Sequence, residues 1–177
     1  MGQTIFIPKE CDAAEPRVAA SPDTVKRLSG LGFSVIVEKG AGTASRITDA
    51  EFEKAGATIG ADAGKADVIL KVRRPSDAEL KSYKKGAVVL AAMDPYGNDA
   101  AVAAMAKAGI SAFAMEFMPR ITRAQSMDVL SSQANLAGYQ AVVDGAAEYD
   151  RAMPMMMTAA GTVPAARVFV MGAGVAG

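Results

Sequence analysis

Two short stretches of the 177-residue chain combine residue types that could bind a ligand. The first stretch places Arg120, Gln125, Asp128 and Ser131 within twelve residues, so a cation, an amide, a carboxylate and a hydroxyl are close in the sequence. Such a set offers the donors and acceptors that the carboxamide group of a ligand needs, and an Arg120–Asp128 pair would stiffen the loop. The same residues also suit a solvated loop whose serines cap a helix.

The second stretch is glycine-rich: Gly172, Gly174 and Gly177 have the spacing G-x-G-x-x-G. The apolar run Arg167–Met171 before it predicts a buried parallel strand. A strand that leads into this pattern is typical of a dinucleotide-binding βαβ unit. There the first glycine forms the turn, the second lets pyrophosphate approach, and the third packs helix against strand. A tight strand-to-helix turn that binds nothing is the alternative.

The rest of such a unit does not follow Gly177, because the helix, the second strand and an acidic residue about 20 positions on are absent. We therefore expect the chain to be the N-terminal part of a longer oxidoreductase. We also expect these residues alone to bind nucleotide weakly or not at all. Without the acidic position, the sequence does not decide between NAD and NADP.

Composition narrows the class of protein. Apolar residues make up 51% of the chain and the formal net charge is zero, which argues against disorder and against electrostatic nucleic-acid binding. The chain has one cysteine and no histidine, so it lacks a histidine general base and the usual transition-metal ligands. No signal peptide or apolar run of roughly 20 residues is present. These features predict a soluble, cytoplasmic α/β protein without a metal site.

The first 115 residues alternate strand and helix patterns, which predicts a doubly wound parallel sheet of flavodoxin-like or Rossmann-like type. Ser21 followed by Pro22 predicts a helix start, and Thr48–Glu51 and Ser76–Glu79 have the capping-box pattern. The predicted strands are Thr4–Ile7, Phe33–Val37, Ala66–Val72, Ala87–Ala91 and Ile110–Met115.

The pattern changes after this sheet and predicts three regions. Residues 1–130 form the α/β domain, 131–166 a connector helix and loop, and 167–177 the start of a truncated nucleotide-binding Rossmann domain. The connector helix is expected from about Ser131 to Arg151, because its apolar residues recur at three- and four-residue spacing. A methionine cluster at 153–157 is interpreted as adaptable packing.

Three further side chains are weighed as candidates in the first domain. Arg17 and Lys71 follow or end predicted strands and could meet an anionic ligand there, although lone basic residues are commonly solvated. Cys11 has no histidine to activate it, so we interpret it as structural or exposed and not as a nucleophile.

The run from Met115 to Gly138, MEFMPRITRAQSMDVLSSQANLAG, closely resembles one family. It is similar to the soluble NAD(H)-binding component (domain I, the alpha subunit or its first segment) of proton-translocating NAD(P) transhydrogenases. The resemblance extends to Ile7–Glu10, Arg17–Pro22, Met155–Pro164 and Gly172–Gly177, and so covers essentially the whole chain.

The resemblance implies direct hydride transfer from NADH on this component to NADP+ on a partner component, coupled to proton movement through a membrane-spanning component. Such transfer needs orientation and no proton donor. It also implies a homodimeric parent at the cytoplasmic side of the inner membrane, held there by its partner subunits. In this family Arg120 would orient and shield the nicotinamide, Asp128 would hold Arg120, and Gln125 would lie where the two cofactors meet. The residues implied in cofactor binding are Arg120, Gln125, Ser126, Met127, Asp128, Ser131, Gly172, Gly174, Val175, Ala176 and Gly177.

Two alternatives remain. The related alanine dehydrogenases are expected to share this architecture, and Arg17 and Lys71 match their substrate-binding positions. Those enzymes use a histidine after the strand that is predicted here to end at Ala91, whereas this chain has Ala92–Gly97 there and no histidine. The other alternative is an isolated fragment without activity, acting as a folded assembly module or a truncated gene product.

Overall fold

The computed structural model describes residues 2–177. They form two compact units, a first that ends at Phe117 and a second, Met118–Gly177. The division falls before Arg120, whereas the first domain predicted from the sequence extends to residue 130 and so includes most of the Arg120–Ser131 loop. None of the helices in the described residues is long and apolar enough to cross a membrane.

The first unit is a six-stranded sheet with the strand order β3-β2-β1-β4-β5-β6, and every pair is parallel. This order confirms the predicted doubly wound α/β fold. The two-residue strand β3 was not predicted from the sequence. The elements are β1 Thr4–Ile7, α1 Pro22–Gly30, β2 Ser34–Val37, α2 Asp49–Lys54, β3 Thr58–Ile59, β4 Val68–Arg73, α3 Asp77–Leu80, β5 Val88–Ala92, α4 Asp99–Ala108 and β6 Ser111–Ala114.

Local capping starts the helices where the sequence predicted. The side chain of Ser21 accepts a hydrogen bond from the backbone N–H of Thr24 at the start of α1. Both reciprocal hydrogen bonds of a capping box are present at Thr48–Glu51 and at Ser76–Glu79. Each cap satisfies backbone donors that a helix cannot satisfy itself and contributes about 1 kcal/mol.

Two buried clusters cover opposite faces of the sheet. Ile5 and Ile7 of β1 pack in one cluster with Phe52 of α2, while Phe6 between them packs in the other cluster with Met105 of α4. Successive side chains of a strand point to opposite faces, so both faces of this sheet are covered by helices. Burying each large side chain stabilises the fold by roughly 1.5–3 kcal/mol, which fixes the strand ends that carry the polar residues.

The second unit contains one long helix and a small hairpin. A 3-10 helix, Thr122–Met127, leads into α5, Val129–Glu148, close to the predicted connector helix. The hairpin pairs β7, Met156–Thr158, with β8, Gly161–Val163, in antiparallel register. This hairpin was not predicted. Met155, Met156 and Met157 of the predicted cluster are exposed, whereas Met153 is partly buried, so most of the cluster does not pack within the described residues.

The predicted strand Arg167–Met171 is also wrong for this chain, because these residues form no strand. A parallel strand is stabilised by ladder hydrogen bonds and by covered faces, and no neighbouring strand pairs with this run. Its side chains are accordingly exposed, with Phe169 86% accessible. The apolar face predicted for α5 is exposed as well, at Leu136, Tyr139 and Val143.

Candidate functional site

The carboxyl ends of β1 and β4 in the first unit hold a buried charge cluster. The ammonium of Lys71 donates to the Glu79 carboxylate at 2.7 Å and lies 3.3 Å from the Glu10 carboxylate. Burial alone would lower the pKa of Lys71, but the hydrogen bond to Glu79 and the charge of Glu10 outweigh it and raise the pKa. Lys71 is therefore a charged group that is fully paired inside the protein.

A second cluster lies beside it and is centred on the buried carboxylate of Glu15. The Nε and Nη2 atoms of Arg17 each donate to Glu15 at 2.6 Å, which is a bidentate pair. The Nε atom of Arg73 donates to Oε2 of Glu15 at 2.9 Å. These hydrogen bonds, that of Arg17 foremost, lower the pKa of Glu15 from its usual range to about 2.

The loop after β5 is held from both sides. The Glu116 carboxylate accepts from the backbone N–H groups of Met93, at 3.0 Å, and of Asp94. Arg74 donates to the backbone carbonyls of the same two residues, at 3.2 and 2.9 Å. Asp94 has a left-handed φ of +44°, which costs a non-glycine residue free energy and is maintained by these four contacts.

These clusters border a cavity of about 530 Å³ at the carboxyl ends of the strands, where ligands of open α/β sheets bind. Lys71 is only 5% accessible and is paired with carboxylates of the same unit, so the expectation that it is solvated is wrong. No histidine lies in the loop after β5. The charged and thiol groups of the wall are Glu10, Cys11, Asp12, Lys71, Arg73, Arg74 and Asp94.

Cys11 is exposed, as the sequence analysis allowed. Partial burial and the neighbouring Glu79 raise the pKa of its thiol. A raised pKa keeps the sulfur protonated near neutral pH, which agrees with the interpretation that Cys11 is not a nucleophile.

The second unit carries the other predicted residues on the loop before α5. Arg120, Gln125, Ser126 and Met127 are exposed. Within the described residues, the side chains of Arg120 and Gln125 make no hydrogen bond or ion pair. Ala124, only 3% accessible, anchors the 3-10 turn between them. The loop is thus anchored by the buried Ala124, and it exposes the guanidinium of Arg120 and the amide of Gln125.

Asp128 is the N-cap of α5. Its Oδ1 atom accepts from the backbone N–H groups of Leu130 and Ser131, both at 3.0 Å, and its Oδ2 accepts from the Ser131 hydroxyl at 2.6 Å. The hydrogen bonds from Ser131 are the main reason that the pKa of Asp128 lies below its usual value. Asp128 thereby fixes both the start of the helix and the direction of the Ser131 hydroxyl.

The predicted Arg120–Asp128 pair is not formed in the described residues. The guanidinium of Arg120 contributes only a minor part of the lowered pKa of Asp128. The carboxylate instead satisfies backbone donors of α5, because a helix N-terminus offers free N–H groups next to it in sequence. The structure therefore joins Asp128 to Ser131 and leaves Arg120 and Gln125 unpaired.

The glycine-rich stretch forms a tight turn. Gly172 has a φ of +102°, which favours glycine, and a Cβ at Gly177 would lie 2.3 Å from the Gly172 carbonyl oxygen. A Cβ at Gly174 would meet nothing within 4 Å. The positive φ of Gly172 and the open space beside Gly174 agree with the roles of the first two glycines in a pyrophosphate-binding turn. Gly177 packs against Gly172 and not between a helix and a strand. The described residues therefore fit the pyrophosphate end of a dinucleotide.

Sequence reasoning missed two small residues of this unit, Ala124 and Gly138. A Cβ at Gly138 would lie only 2.1 Å from the carbonyl oxygen of Ala176, so the glycine turn rests directly on α5. Ser131, Ala134 and Gly138 are the small, partly buried residues at three- and four-residue spacing on this helix. The face predicted from the sequence was instead that of the larger apolar residues Leu136, Tyr139 and Val143, which are exposed.

The fold and the glycine turn define the class first: an α/β protein of Rossmann-like, nucleotide-binding type. Comparison with known proteins identifies the family within this class. Residues 6–137 match the family described as Alanine dehydrogenase/PNT, N-terminal domain, and residues 141–177 match its C-terminal domain. The chain therefore belongs to the alanine dehydrogenase/PNT family.

Transhydrogenases and alanine dehydrogenases both occur among the relatives. The first segment of the NAD(P) transhydrogenase subunit alpha of Rhodospirillum rubrum is 57% identical to this chain over 98% of its residues. The alanine dehydrogenase of Halomonas elongata is 32% identical over the same share. The chain spans about half the length of these relatives, 47% and 48% respectively.

Among solved structures, too, a transhydrogenase is more similar to this chain than an alanine dehydrogenase is. A transhydrogenase from Sinorhizobium meliloti superposes with a TM-score of 0.96 and 69% identity, covering 99% of this chain and 53% of that one. An L-alanine dehydrogenase superposes with a TM-score of 0.74 and 26% identity, covering 82% of this chain and 40% of that one.

Proposed function

We propose that the chain is the N-terminal part of the NAD(H)-binding component of a proton-translocating NAD(P)+ transhydrogenase. It would pass hydride from NADH to NADP+ held on a partner component. The observation that carries this proposal is the identity of 57% to a transhydrogenase subunit against 32% to an alanine dehydrogenase over the same share of the chain.

The geometry of the second unit supports this reaction class. A bound nicotinamide supplies the hydride, so the protein needs to orient the ring and to keep water away from it. Arg120 and Gln125 are exposed and unpaired in the described residues, and both can donate to a carboxamide. Asp128 orients the Ser131 hydroxyl instead of holding Arg120. The turn Gly172–Gly177 would take the pyrophosphate on its backbone amides.

The remaining assignments belong to the same proposal. Residues 1–130 would be the N-terminal domain, 131–166 the connector, and 167–177 the start of the NAD-binding domain. Ser126 and Met127 would border the nicotinamide, and Val175 and Ala176 the pyrophosphate. The parent would be a homodimer at the cytoplasmic side of the inner membrane, bound to NADP(H)-binding and membrane-spanning components.

Alanine oxidation is the competing function, supported by the 32% identity to an alanine dehydrogenase and by the presence of Arg17 and Lys71. Forming or hydrolysing an imine needs a proton donor in the pocket, and this chain has no histidine after β5. Arg17 and Lys71 are already bound by Glu15, Glu10 and Glu79. These observations favour transhydrogenation.

The deciding assay uses the polypeptide encoded by the reading frame that carries these residues, assembled with its partner components. NADH deuterated at the nicotinamide C4 position should transfer deuterium to NADP+ without exchange with water. NADH formation that depends on alanine would overturn the proposal.

A separate titration of the 177-residue chain with NADH tests the fragment alternative. We expect weak binding or none, since the proposed site residues of this chain would hold the pyrophosphate and nicotinamide ends of a nucleotide and not its adenosine. Micromolar affinity would refute the idea of a non-binding fragment.

A further inference from the structure

The contact between the glycine turn and α5 is the closest backbone approach in the second unit that involves a helix glycine. A Cβ placed on Gly138 would lie 2.1 Å from the carbonyl oxygen of Ala176, 3.0 Å from its carbonyl carbon and 3.2 Å from its Cα. All three atoms belong to the backbone and cannot rotate away as a flexible side chain would. Only a hydrogen atom fits at this position of the helix.

Gly138 lies on the same face of α5 as Ser131, so its contact relates the glycine turn to the start of the helix. Ser131 and Gly138 are seven positions apart, which is within about 20° of two full turns, so they lie on one face. Their separation along the axis is about 10 Å. The Asp128 cap fixes the N-terminal end of the same face through the Ser131 hydroxyl. One rigid helix thus carries the proposed nicotinamide loop at its start and the glycine turn two turns later.

We propose that Gly138 is a positioning residue that seats the turn Gly172–Gly177 on α5. Its contact sets the distance between the pyrophosphate-binding amides and the nicotinamide-end residues Arg120, Gln125 and Ser131. The inference rests on the proposed function, because it assigns the turn to the pyrophosphate of a dinucleotide. Adding one methyl group at Gly138 pushes the Ala176 carbonyl away and tilts the amides of Gly174–Gly177 from the ligand.

The chain offers a matched control. Gly145 lies a further seven positions along α5, and a Cβ built there meets nothing within 4 Å. Gly138→Ala and Gly145→Ala make the same chemical change on the same helix, and both raise helix propensity. They differ in whether the methyl group meets the glycine turn.

The test uses calorimetric titration of the polypeptide that the reading frame encodes, with NADH, ADP and adenosine as probes. Gly138→Ala should weaken NADH and ADP binding by about tenfold or more, since small displacements of positioned groups cost that much. Adenosine, which carries no phosphate, should bind Gly138→Ala as it binds the wild type. Gly145→Ala should leave all three affinities unchanged. In turnover, Gly138→Ala should raise the KM for NADH more than it lowers kcat.

The outcomes separate the two proposals. If the wild type binds no NADH, the proposed function fails, and the role of Gly138 fails with it. If the wild type binds NADH and Gly138→Ala binds it equally well, only the inference about Gly138 is overturned. An equal loss of adenosine affinity in Gly138→Ala would also overturn it, because that result assigns Gly138 to domain packing.

If Gly138→Ala does not fold, amide hydrogen exchange of the wild type tests the contact between α5 and the glycine turn without a substitution. ADP should slow amide exchange in α5 around Gly138 as well as in the glycine turn, because the ligand holds the turn on the helix. Adenosine should not do so. Slowing in the turn without any change in α5 would overturn the inference.

Discussion

The two units of the molecule use charged and polar side chains in opposite ways. In the first unit Lys71 and Arg17 lie against carboxylates from the same unit, at 2.6–3.3 Å. In the second unit Arg120 and Gln125 are exposed and unpaired within the described residues. Groups that are paired with one another stabilise the fold, whereas unpaired groups are available to a ligand.

This difference explains why the cavity of the first unit is not the site we favour. A ligand at the cavity of the first unit would have to compete with the carboxylates that already pair with the buried Lys71 and with Arg73. A ligand at the loop before α5 would displace only water.

The largest expected effect is that of Lys71→Met on stability. Removing the ammonium leaves the carboxylates of Glu10 and Glu79 together in a buried place, which should cost about 3–5 kcal/mol of the free energy of unfolding. Urea denaturation followed by circular dichroism measures it. Lys65→Met is the control, because its pair with Asp62 is exposed and should contribute less than about 1 kcal/mol.

Two results for Lys71→Met would break the comparison between the units. One is a loss below about 1 kcal/mol, which would mean that the buried cluster adds no stability. The other is a fully stable variant whose NADH affinity falls, which would place ligand recognition in the first unit.

The next effect is the acid sensitivity of the first unit through Glu15. Its pKa is about 2 in the folded chain and about 4.3 in an unfolded one. A lowered folded pKa contributes stability that is complete above the unfolded pKa and is lost as the pH falls from about 4.3 to about 2. The loss should amount to about 2–3 kcal/mol.

Unfolding free energies measured between neutral pH and about pH 2 check this contribution. Glu15→Gln should be less stable at neutral pH and should show a shallower decline on acidification. Glu53→Gln, an exposed change on α2, should decline as the wild type does. A slope for Glu15→Gln equal to that of the wild type would show that Glu15 does not titrate in this range.

How far the sequence predicted the structure depended on the separation of the interacting residues. The caps at Ser21, Thr48 and Ser76 were correct because each cap and its partner are three positions apart. The partners of Lys71 were missed, since Glu10 is 61 positions away and charge alone does not reveal it.

The errors in the second unit have a related cause. The run Arg167–Met171 has the composition of a strand but no neighbour to pair with, so the local preference is not realised. Asp128 was expected to hold Arg120 and instead caps α5, because the backbone donors lie closer in the sequence. Gly138 could not be singled out, because its contact partner Ala176 is 38 positions away.

A smaller effect is expected from removing the Asp128 cap. Asp128→Ala should lower the free energy of unfolding by about 1 kcal/mol, as loss of an N-cap usually does. Asp144→Ala removes only an exposed contact with Gln140 on the same helix and should cost about 0.2–0.5 kcal/mol. Thermal denaturation compares the two. Equal losses would mean that Asp128 does not act as a cap.

The smallest effect on stability, and the sharpest test of the difference between the units, is expected for Arg120→Ala. The side chain is exposed and unpaired in the described part of the chain, so the free energy of unfolding should change by no more than about 0.5 kcal/mol. If the proposed function holds, the rate of hydride transfer should nevertheless fall by about tenfold or more, because Arg120 is proposed to position the nicotinamide ring. Arg123→Ala, an exposed arginine of the same loop, is the control for charge and should retain most activity. If both variants lose activity equally, the loop attracts the nucleotide through its overall charge. If Arg120→Ala instead destabilises the protein as strongly as Lys71→Met, the two units do not differ in the way that their contacts indicate.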